Sequence, residues 1–373
     1  MRDIKSRPFE IDLHLTNRCN LRCVHCGYDS GVLKMPEHDL ARLLDALSGL
    51  HSVGASALHM VGGEPFVCRE LVFSLLAWAG PRGMETQVLT NAWKITNEDI
   101  HRAFEMGLGK LLISIDGDVE DHDRFRMMRG SANACLSVVE FCTKMGYPMR
   151  VNTVASRQNA HSIPNLIRRL RGSAVKKIAI YSLVPKGRGH NICDQEMTLA
   201  EWKAYVEDLE AFVREEQIES PQVEVQDIYH TRADILENGP PLNCFDERNT
   251  CVIMPDGEVY PCFILTQTSW SLGNIYSQQP EVFWCDKTRW ERFDAMASQR
   301  RCLGTPYEVA SCRGGCPGYS NLFGRHADCD ARCQVDSQEL IPSCYRGRKI
   351  LAPERRVLQT SGYGALPLQS RAT

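Results

Sequence analysis

Two groups of cysteines give this chain its chemical character. The 373-residue chain contains 17 cysteines, and Cys19, Cys23 and Cys26 form the first group with the spacing C-x3-C-x2-C after a predicted strand. Three thiolates on one short loop can bind three irons of a cubane and leave the fourth iron open. A zinc site that takes His14 or His25 as its fourth ligand is the alternative on spacing alone. The spacing therefore predicts a metal centre and leaves the metal open.

The second group lies in the C-terminal third of the chain. Its nine members are Cys244, Cys251, Cys262, Cys302, Cys312, Cys316, Cys329, Cys333 and Cys344. The N-terminus has no apolar signal-peptide segment, so these thiols do not indicate a disulfide framework. Iron–sulfur clusters or a zinc ribbon are the two interpretations. Five cysteines stand alone, and we expect them to pack as small hydrophobic side chains. These are Cys68, Cys135, Cys142, Cys193 and Cys285.

The bulk composition is that of an ordinary soluble globular protein. Hydrophobic residues make up 43% and charged residues 24% of the chain, with a formal net charge of −3. The absence of a long run of Lys or Arg argues against nucleic acid or an anionic membrane as a partner. No apolar stretch is long enough to span a bilayer. We therefore predict a cytoplasmic protein.

Alternating strand and helix patterns must position the first cysteine group. Short β-branched runs predict strands at residues 10–15, 57–61, 86–90, 111–115, 149–154 and 177–184. Helical patterns lie between them at residues 37–51, 69–80, 97–106, 132–145 and 161–171. Six such units predict an α/β fold with a parallel sheet, either open or curled into a barrel. Ligands of these folds bind at the carboxyl ends of the strands.

Polar and glycine-rich motifs follow several of these strands. Gly62, Gly63 and Glu64 follow the second strand, where backbone can approach a ligand and a carboxylate can pair with an ammonium group. Ser114 and Asp116 end the fourth strand, although an Asp before Gly is also a common turn former. The basic segment 185–189 follows the sixth strand, and it is either an anion-binding loop or a solvated turn.

The C-x3-C-x2-C loop and the downstream Gly-Gly-Glu motif together resemble the signature of radical S-adenosylmethionine (SAM) enzymes. The resemblance implies a partial (β/α)6 TIM-like barrel whose three loop cysteines hold a [4Fe–4S] cluster, with SAM chelated to the fourth iron. It also implies that Gly62, Gly63 and Glu64 bind the SAM amino group, and that Ser114 and Asp116 face its ribose and methionyl parts. His25 replaces the family's usual aromatic residue, and we expect its ring to pack on the adenine.

The C-terminal cysteines resemble the SPASM extension of the same enzymes, in which two auxiliary [4Fe–4S] clusters are bound. Carried over by position, the first auxiliary cluster would use Cys244, Cys251, Cys262 and Cys316. The second would use Cys302, Cys312 and two of Cys329, Cys333 and Cys344. The middle of the motif departs from the family pattern, because only Cys302 stands where a C-x2-C-x5-C run is usual.

These assignments divide the chain into four parts. We expect a radical SAM core at residues 1–195 and a helical linker at 196–240, where Thr198 and Glu201 form a capping-box pattern. A small cysteine-rich SPASM-like domain would follow at 241–346, with a hairpin around the Pro-Asp-Gly turn at 255–257. We expect a loose tail at 347–373. Few apolar residues suggest that metal clusters hold the third part together.

The resemblance implies an oxidoreductase that uses the 5′-deoxyadenosyl radical to abstract hydrogen from a substrate carbon. An external donor such as flavodoxin or ferredoxin would supply electrons. Phe263 stands where sulfatase maturases carry an Asp, which argues against that activity. We expect modification of a ribosomally made peptide, although Cys19 lies too near the start for a leader-binding domain. Dehydrogenation of an aminoglycoside-like small molecule is the alternative. A rival from another class is a non-catalytic electron carrier or zinc-stabilised interaction protein.

Overall fold

Eleven strands form one sheet in the computed structural model, which describes residues 8–231, 249–298, 316–323, 330 and 340–350. The strands are β1 (Phe9–His14), β2 (Ala55–Val61), β3 (Glu85–Thr90), β4 (Lys110–Ser114), β5 (Met149–Ala155), β6 (Val175–Ser182), β7 (Gln222–Thr231), β8 (Thr250–Ile253), β9 (Glu258–Tyr260), β10 (Gly273–Asn274) and β11 (Leu340–Ile350). Their order is β10-β9-β8-β1-β2-β3-β4-β5-β6-β7-β11. Neighbours from β8 through β1 to β7 are parallel.

Ten α-helices accompany these strands in the described residues. They are α1 (Leu40–Ser52), α2 (Arg69–Ala79), α3 (Asn97–Glu105), α4 (Val119–Arg126), α5 (Ser131–Met145), α6 (Ile163–Arg169), α7 (Leu199–Glu215), α8 (Pro280–Phe283), α9 (Lys287–Ser298) and α10 (Pro317–Leu322). In α1, Leu43, Leu47 and Leu50 recur at helical spacing and are fully buried. The predicted strands and helices of residues 10–171 are confirmed, with ends that shift by up to three residues.

The parallel strands curl around an interior that contains polar side chains. Asp12 on β1, Asn152 on β5 and Tyr181 on β6 line the same cavity, although four strands separate β1 from β6 in the sheet. The opposite face of the sheet carries apolar residues that pack under the helices. The predicted α/β fold with a partial barrel is therefore confirmed.

Helix α4 was not predicted from the sequence. Its eight residues, VEDHDRFR, contain too few apolar positions for a helical pattern to be visible. The Asp118 side chain accepts a hydrogen bond from the Asp121 backbone N–H and so caps the helix. Packing of Phe125, which is buried, completes the stabilisation. This short helix supplies Arg126 to the cavity described below.

The segment predicted as a helical linker also contains a strand. Helix α7 begins with the predicted capping box of Thr198 and Glu201. Residues 222–231, however, form β7 and pair with β6 in parallel, so the barrel sheet extends beyond the predicted core. Residues 347–350, assigned to a loose tail, pair with 223–226 as part of β11. Residues 351–373 lie outside the described part of the chain.

The C-terminal strands join the same sheet on its other side. β8 pairs with β1 in parallel, and the predicted hairpin of β8 and β9 is confirmed, with Gly257 in its turn at φ +84°. Residues 249–298 contain buried aromatic side chains, contrary to the expectation of a region without much core. These are Tyr260, Phe283, Trp284, Trp290 and Phe293. The Trp284 ring lies 4.5 Å from that of Phe9 on β1, which connects this core to the barrel.

Candidate active site

A cavity of about 340 Å³ lies at the carboxyl ends of the barrel strands. Of the residues predicted to form the site, eight line it: Cys19, Cys23, His25, Cys26, Gly62, Gly63, Ser114 and Asp116. The loop after β1 brings the three cysteines and His25, β2 is followed by the two glycines, and β4 supplies Ser114 and leads to Asp116. The carboxyl ends of parallel strands meet at one edge of the barrel, and this explains why residues so distant in sequence converge.

Hydrogen-bond donors surround two of the cysteine sulfurs. The backbone N–H of Leu21 lies 3.4 Å from Cys19 Sγ, and that of Ser30 lies 3.4 Å from Cys26 Sγ. The Asn91 amide adds a donor 3.7 Å from Cys19 Sγ. Such donors stabilise a thiolate and its bonds to iron, and they tune cluster potentials. Burial raises the pKa of the Cys19 thiol to about 11, so a bound cation is needed to hold it as a thiolate.

A buried arginine lies next to the sulfur of Cys23, the remaining cysteine of the loop. Arg126 Nη1 lies 3.9 Å from Cys23 Sγ, and Arg126 Nε donates a 2.7 Å hydrogen bond to Asp116 Oδ2. The Val154 N–H donates to the other carboxylate oxygen at 2.9 Å. Burial is the strongest influence and would raise the pKa of Asp116, but the Arg126 guanidinium and the other groups around the carboxylate, among them the Val154 N–H, together hold that pKa below its usual range. A fixed charge pair therefore stands behind the cysteine loop.

His25 packs within the cavity wall. Its ring stacks on Phe125 at a centroid distance of 4.1 Å and an interplanar angle of 11°. Burial lowers the pKa of His25 to about 3, so the ring is neutral at physiological pH. Its Nε2 lies 3.7 Å from Asp116 Oδ2. The neutral ring keeps a flat surface next to the cysteines.

The Gly-Gly-Glu turn has a structural role that the sequence did not reveal. A Cβ on Gly63 would lie 2.1 Å from the Arg18 carbonyl oxygen, so a glycine is required where the cysteine loop crosses this turn. The Glu64 carboxylate is buried and accepts hydrogen bonds from Thr90 Oγ1 at 2.7 Å and from the Asn91 N–H at 2.8 Å. Among the described residues, Gly62 and Gly63 rather than Glu64 line the cavity.

A polar part of the cavity wall comes from β4 and β5. Ser114 and Asn152 line the cavity, and Asn152 Oδ1 is buried with no hydrogen-bond partner in the described part of the chain. The Cys135 thiol lies behind this wall, 3.4 Å from the Asn91 carbonyl oxygen and 3.6 Å from that of Ser114. The unpartnered amide oxygen is suited to a ligand that carries a hydrogen-bond donor.

The basic loop 185–189 is neither an isolated anion site nor a solvated turn, because it binds the cysteine loop. Arg188 Nε donates to the Cys23 carbonyl at 2.9 Å, and its Nη1 lies 2.7 Å from Asp29 Oδ1. The Arg188 N–H donates to the Cys26 carbonyl at 3.0 Å. Gly187 has φ +56°, and a Cβ there would lie 2.5 Å from the same carbonyl. Sequence reasoning missed Arg126 and singled out Arg188 only as part of a basic loop, since nothing local marks their distant partners.

Two cysteines of the C-terminal group lie next to each other outside the cavity. Cys262 and Cys316 pack in one small cluster with Ile264 and Tyr319. Cys316 precedes α10, and its Sγ accepts the Tyr319 N–H at 3.4 Å. Burial, and then the neighbouring Cys316 thiol, raises the pKa of Cys262 to about 12. Two thiols held together in a buried position can provide two ligands of a metal cluster.

The remaining predicted ligands are placed differently. Cys251 is fully buried on β8, opposite Ile11 of β1, in the main hydrophobic core. Cys344 lies on β11, of which only the backbone is described. The others fall outside the described residues: Cys244, Cys302, Cys312, Cys329 and Cys333. The structure thus brings Cys262 and Cys316 together and leaves the other members of the two predicted sets untested.

The five lone cysteines largely follow expectation. Cys135 and Cys142 are fully buried, whereas Cys68 and Cys285 are partly buried against the core. The prediction was wrong for Cys193, which is exposed in a 3₁₀ segment before α7. No helix in the described ranges has the length and apolar character needed to cross a membrane.

Two family models match this chain, and together they cover more than half of it. The model of the radical SAM superfamily matches residues 13–170, which contain the cysteine loop and the Gly-Gly-Glu turn. The SPASM model, described as an iron–sulfur cluster-binding domain, matches residues 244–317. The chain is a radical SAM enzyme with a SPASM domain. Both resemblances inferred from the cysteine patterns are therefore confirmed.

Several curated proteins are similar to this radical SAM enzyme. The Fe-coproporphyrin III synthase of Methanosarcina barkeri is 31% identical over 199 residues, which are 52% of this chain and 49% of that protein. The chain thus matches about half the length of that relative. The AdoMet-dependent heme synthase of Nitratidesulfovibrio vulgaris is 24% identical over 88% of this chain and 92% of its own length. The PqqA peptide cyclase of Bradyrhizobium diazoefficiens is 30% identical over 43% of this chain and 42% of its own length.

Solved structures share the fold. Streptococcus suis SuiB bound to S-adenosylmethionine superposes with a TM-score of 0.71 and 16% sequence identity, over 88% of this chain and 78% of SuiB. Family membership gives the cofactors of this enzyme: a [4Fe–4S] cluster with SAM, and auxiliary iron–sulfur clusters in the SPASM domain. The residues present fit these groups, because three cysteines with N–H or guanidinium donors near their sulfurs reach one cavity.

Proposed function

We propose that this radical SAM enzyme abstracts a hydrogen atom from a substrate carbon inside the 340 Å³ cavity. Cys19, Cys23 and Cys26 would hold the [4Fe–4S] cluster, and SAM would lie between them and the Gly62–Gly63 turn. One observation carries the proposal: the three cysteines, that turn and Asp116 line the same cavity. The cluster and SAM supply a 5′-deoxyadenosyl radical, and the protein supplies position and protection from water.

The cavity residues have distinct tasks in this proposal. Gly62 and Gly63 line the cavity, and their backbone would offer polar atoms to the SAM ammonium group. Glu64 would act indirectly, because its carboxylate binds Thr90 and Asn91 and does not face the cavity. Ser114 and the unpartnered Asn152 Oδ1 would form hydrogen bonds with the hydroxyl groups of the ribose. His25 would pack next to the adenine.

The SPASM domain would hold auxiliary clusters. Cys262 and Cys316, which lie together, would ligate the first auxiliary cluster with Cys244 and Cys251. The second would use Cys302, Cys312 and two of Cys329, Cys333 and Cys344. These clusters are suited to accept the electron that remains on the substrate after hydrogen abstraction and proton loss, which makes the net reaction a two-electron oxidation. The electron for SAM cleavage would come from an external flavodoxin or ferredoxin.

We propose a ribosomally made peptide as the substrate, in the cytoplasm. Similarity to a PqqA peptide cyclase supports a peptide substrate, although it covers less than half of each chain. A small molecule of the tetrapyrrole class is the second candidate. It is supported by the AdoMet-dependent heme synthase, which matches along 88% of this chain and 92% of its own length.

Anaerobic cleavage of SAM tests the proposed chemistry. The reconstituted enzyme, reduced with dithionite and given SAM, should produce 5′-deoxyadenosine that mass spectrometry detects. The Cys23→Ala variant should produce none, whereas Cys193→Ser, which changes an exposed cysteine, should match the wild type. Iron-loaded wild type that binds SAM but gives no product, with and without candidate substrates, would contradict the proposal.

Substrate class needs a separate test. The enzyme is incubated with SAM and either a small library of synthetic peptides or Fe-coproporphyrin III. A peptide that loses two hydrogens in mass would support the peptide proposal. Conversion of Fe-coproporphyrin III with no peptide product would support the tetrapyrrole candidate and overturn the peptide one.

A further inference from the structure

Lys186 places a buried positive charge between the two cysteine sites. It lies in the loop after β6, and its side chain is 7% exposed. Lys186 Nζ donates to the Gly27 carbonyl at 3.0 Å, next to Cys26 in the chain, and lies 3.4 Å from Gln267 Oε1, shortly after Cys262. The ammonium nitrogen is also 5.4 Å from the centroid of the Tyr28 ring. Its contacts therefore come from both cysteine-bearing segments.

No carboxylate in the described ranges pairs with this ammonium group; its polar contacts are two neutral oxygens. The groups that favour the ammonium charge against burial are sulfurs, first that of Cys262 and then that of Cys26. Burial opposes the positive charge and lowers the pKa of Lys186 to about 8. A buried charge without a counter-ion is costly. A buried ammonium in this position therefore favours an anionic partner, and a thiolate-bound iron–sulfur cluster at Cys262 would be one.

Neighbouring residues hold the Lys186 loop against both sites. On one side, Gly187 and Arg188 approach the carbonyls of Cys23 and Cys26 closely, as described above. On the other side, Val184 packs against the cluster of Ile264, Cys316 and Tyr319. The loop thus fixes where the ammonium lies relative to the two groups of cysteines.

We propose that Lys186 is a positioning residue that raises the reduction potential of the auxiliary cluster at Cys262 and Cys316. Reduction adds a negative charge to a cluster, and a nearby cation in a poorly solvated region stabilises that charge. This inference rests on the proposed function, since a higher potential makes the auxiliary cluster a better acceptor for the substrate electron. The position that a Cβ on Gly27 would take lies 3.6 Å from the Phe263 ring, next to Cys262, and 4.0 Å from Lys186 Cβ, so the lysine lies beside the Cys262 segment.

A redox titration followed by electron paramagnetic resonance tests the proposal. The background is Cys23→Ala, which disables the N-terminal cluster, and the Cys262→Ser variant identifies the signal of the cluster in question. In this background, Lys186→Gln removes the charge and keeps a donor for the Gly27 carbonyl, and Lys186→Arg keeps the charge. Lys176→Met is the matched control, since Lys176 is exposed at the other end of β6.

At the wild-type midpoint, Lys186→Gln should decrease the ratio of reduced to oxidised cluster at least tenfold, a shift of about 59 mV for one electron. Lys186→Arg and Lys176→Met should stay close to the wild type. Equal potentials in Lys186→Gln and Lys176→Met would overturn the proposal, as would a shift of the same size in Lys186→Arg. Lys186→Met is a second neutral variant, if Lys186→Gln does not load iron. The titration needs no SAM turnover, so a failure of the proposed function appears separately, in the SAM-cleavage assay.

Discussion

Arg126 donates a 2.7 Å hydrogen bond from Nε to Asp116 Oδ2, and both side chains are almost completely buried. The same guanidinium reaches to 3.9 Å from Cys23 Sγ. The short helix α4 thereby connects the carboxyl end of β4 to the cysteine loop. Arg126 therefore contacts two residues that were predicted independently from the sequence, the carboxylate of Asp116 and the thiol of Cys23.

Loss of Arg126 should destabilise the protein strongly. Arg126→Met would leave Asp116 as a buried carboxylate without its cation, and breaking such pairs costs about 3–5 kcal/mol. We expect the free energy of unfolding, measured in urea, to fall by about that amount. The double variant Arg126→Met/Asp116→Asn should recover part of the loss. Arg124→Met, on the same helix but exposed, is the control; an equal loss in both single variants would contradict this account.

Gly187 should be intolerant of any side chain. Alanine at this φ of +56° would place a Cβ 2.5 Å from the Cys26 carbonyl oxygen. Gly172 has a similar φ of +74° with nothing within 4 Å of its Cβ position. Gly172→Ala should therefore cost only the backbone strain of about 1 kcal/mol, and Gly187→Ala more. Thermal unfolding and iron content after reconstitution measure the difference. Similar losses in the two variants would mean that the close approach is unimportant.

His14 should make stability depend on pH. Burial lowers the pKa of His14 to about 3, so between pH 6.5 and 3 the unfolded state binds a proton that the folded state does not. Its contribution to stability is therefore present above pH 6.5 and lost as the pH falls. His14→Phe keeps an aromatic ring near Tyr28, where the two rings now lie 4.4 Å apart. Between pH 6 and 4 it should reduce the slope of the free energy of unfolding against pH by about 1.4 kcal/mol per pH unit. The exposed His190→Phe is the control, and equal slopes in the two variants would disprove the role of His14.

Cys262 should be required for one auxiliary cluster. Wild-type enzyme reconstituted with iron and sulfide should hold about 12 irons if it carries three cubanes, or about eight if it carries two. Cys262→Ser should lose about four irons and keep the N-terminal cluster signal. The exposed Cys193→Ser should retain the full amount. Unchanged iron in Cys262→Ser would remove this cysteine from the ligand set.

Sequence periodicity predicted most of the barrel, because the apolar residues of each strand and helix face a neighbour that is close in the chain. The helix α4 escaped prediction since its burial depends on a few residues rather than on a repeating pattern. β7 was missed for a different reason. Its ten residues form a strand because they pair with β6 on one side and with β11, much later in the chain, on the other.

The residues of the candidate site likewise fall into those that the sequence predicted and those that it did not. Cysteine spacing identified the loop at residues 19–26, whose ligands are local. Arg126, Arg188 and Lys186 contact that loop from 103 to 165 residues away in the chain, so no spacing rule could have connected them. Glu64 shows the converse. The motif was recognised, but a single carboxylate gives no sign of whether it faces the cavity or the protein.

The parallel pairing of β8 with β1 makes the N-terminal strand and the region that begins at residue 249 depend on each other for solubility. β1 leads directly into the cysteine loop, and in the complete sheet it is flanked on both sides. A fragment that stopped before residue 249 would leave the β1 backbone unpaired along one edge and would expose Phe9, which normally packs on Trp284. An open, apolar edge of this kind recruits other chains. Separating the barrel from the region that follows it would therefore yield aggregates rather than a minimal enzyme.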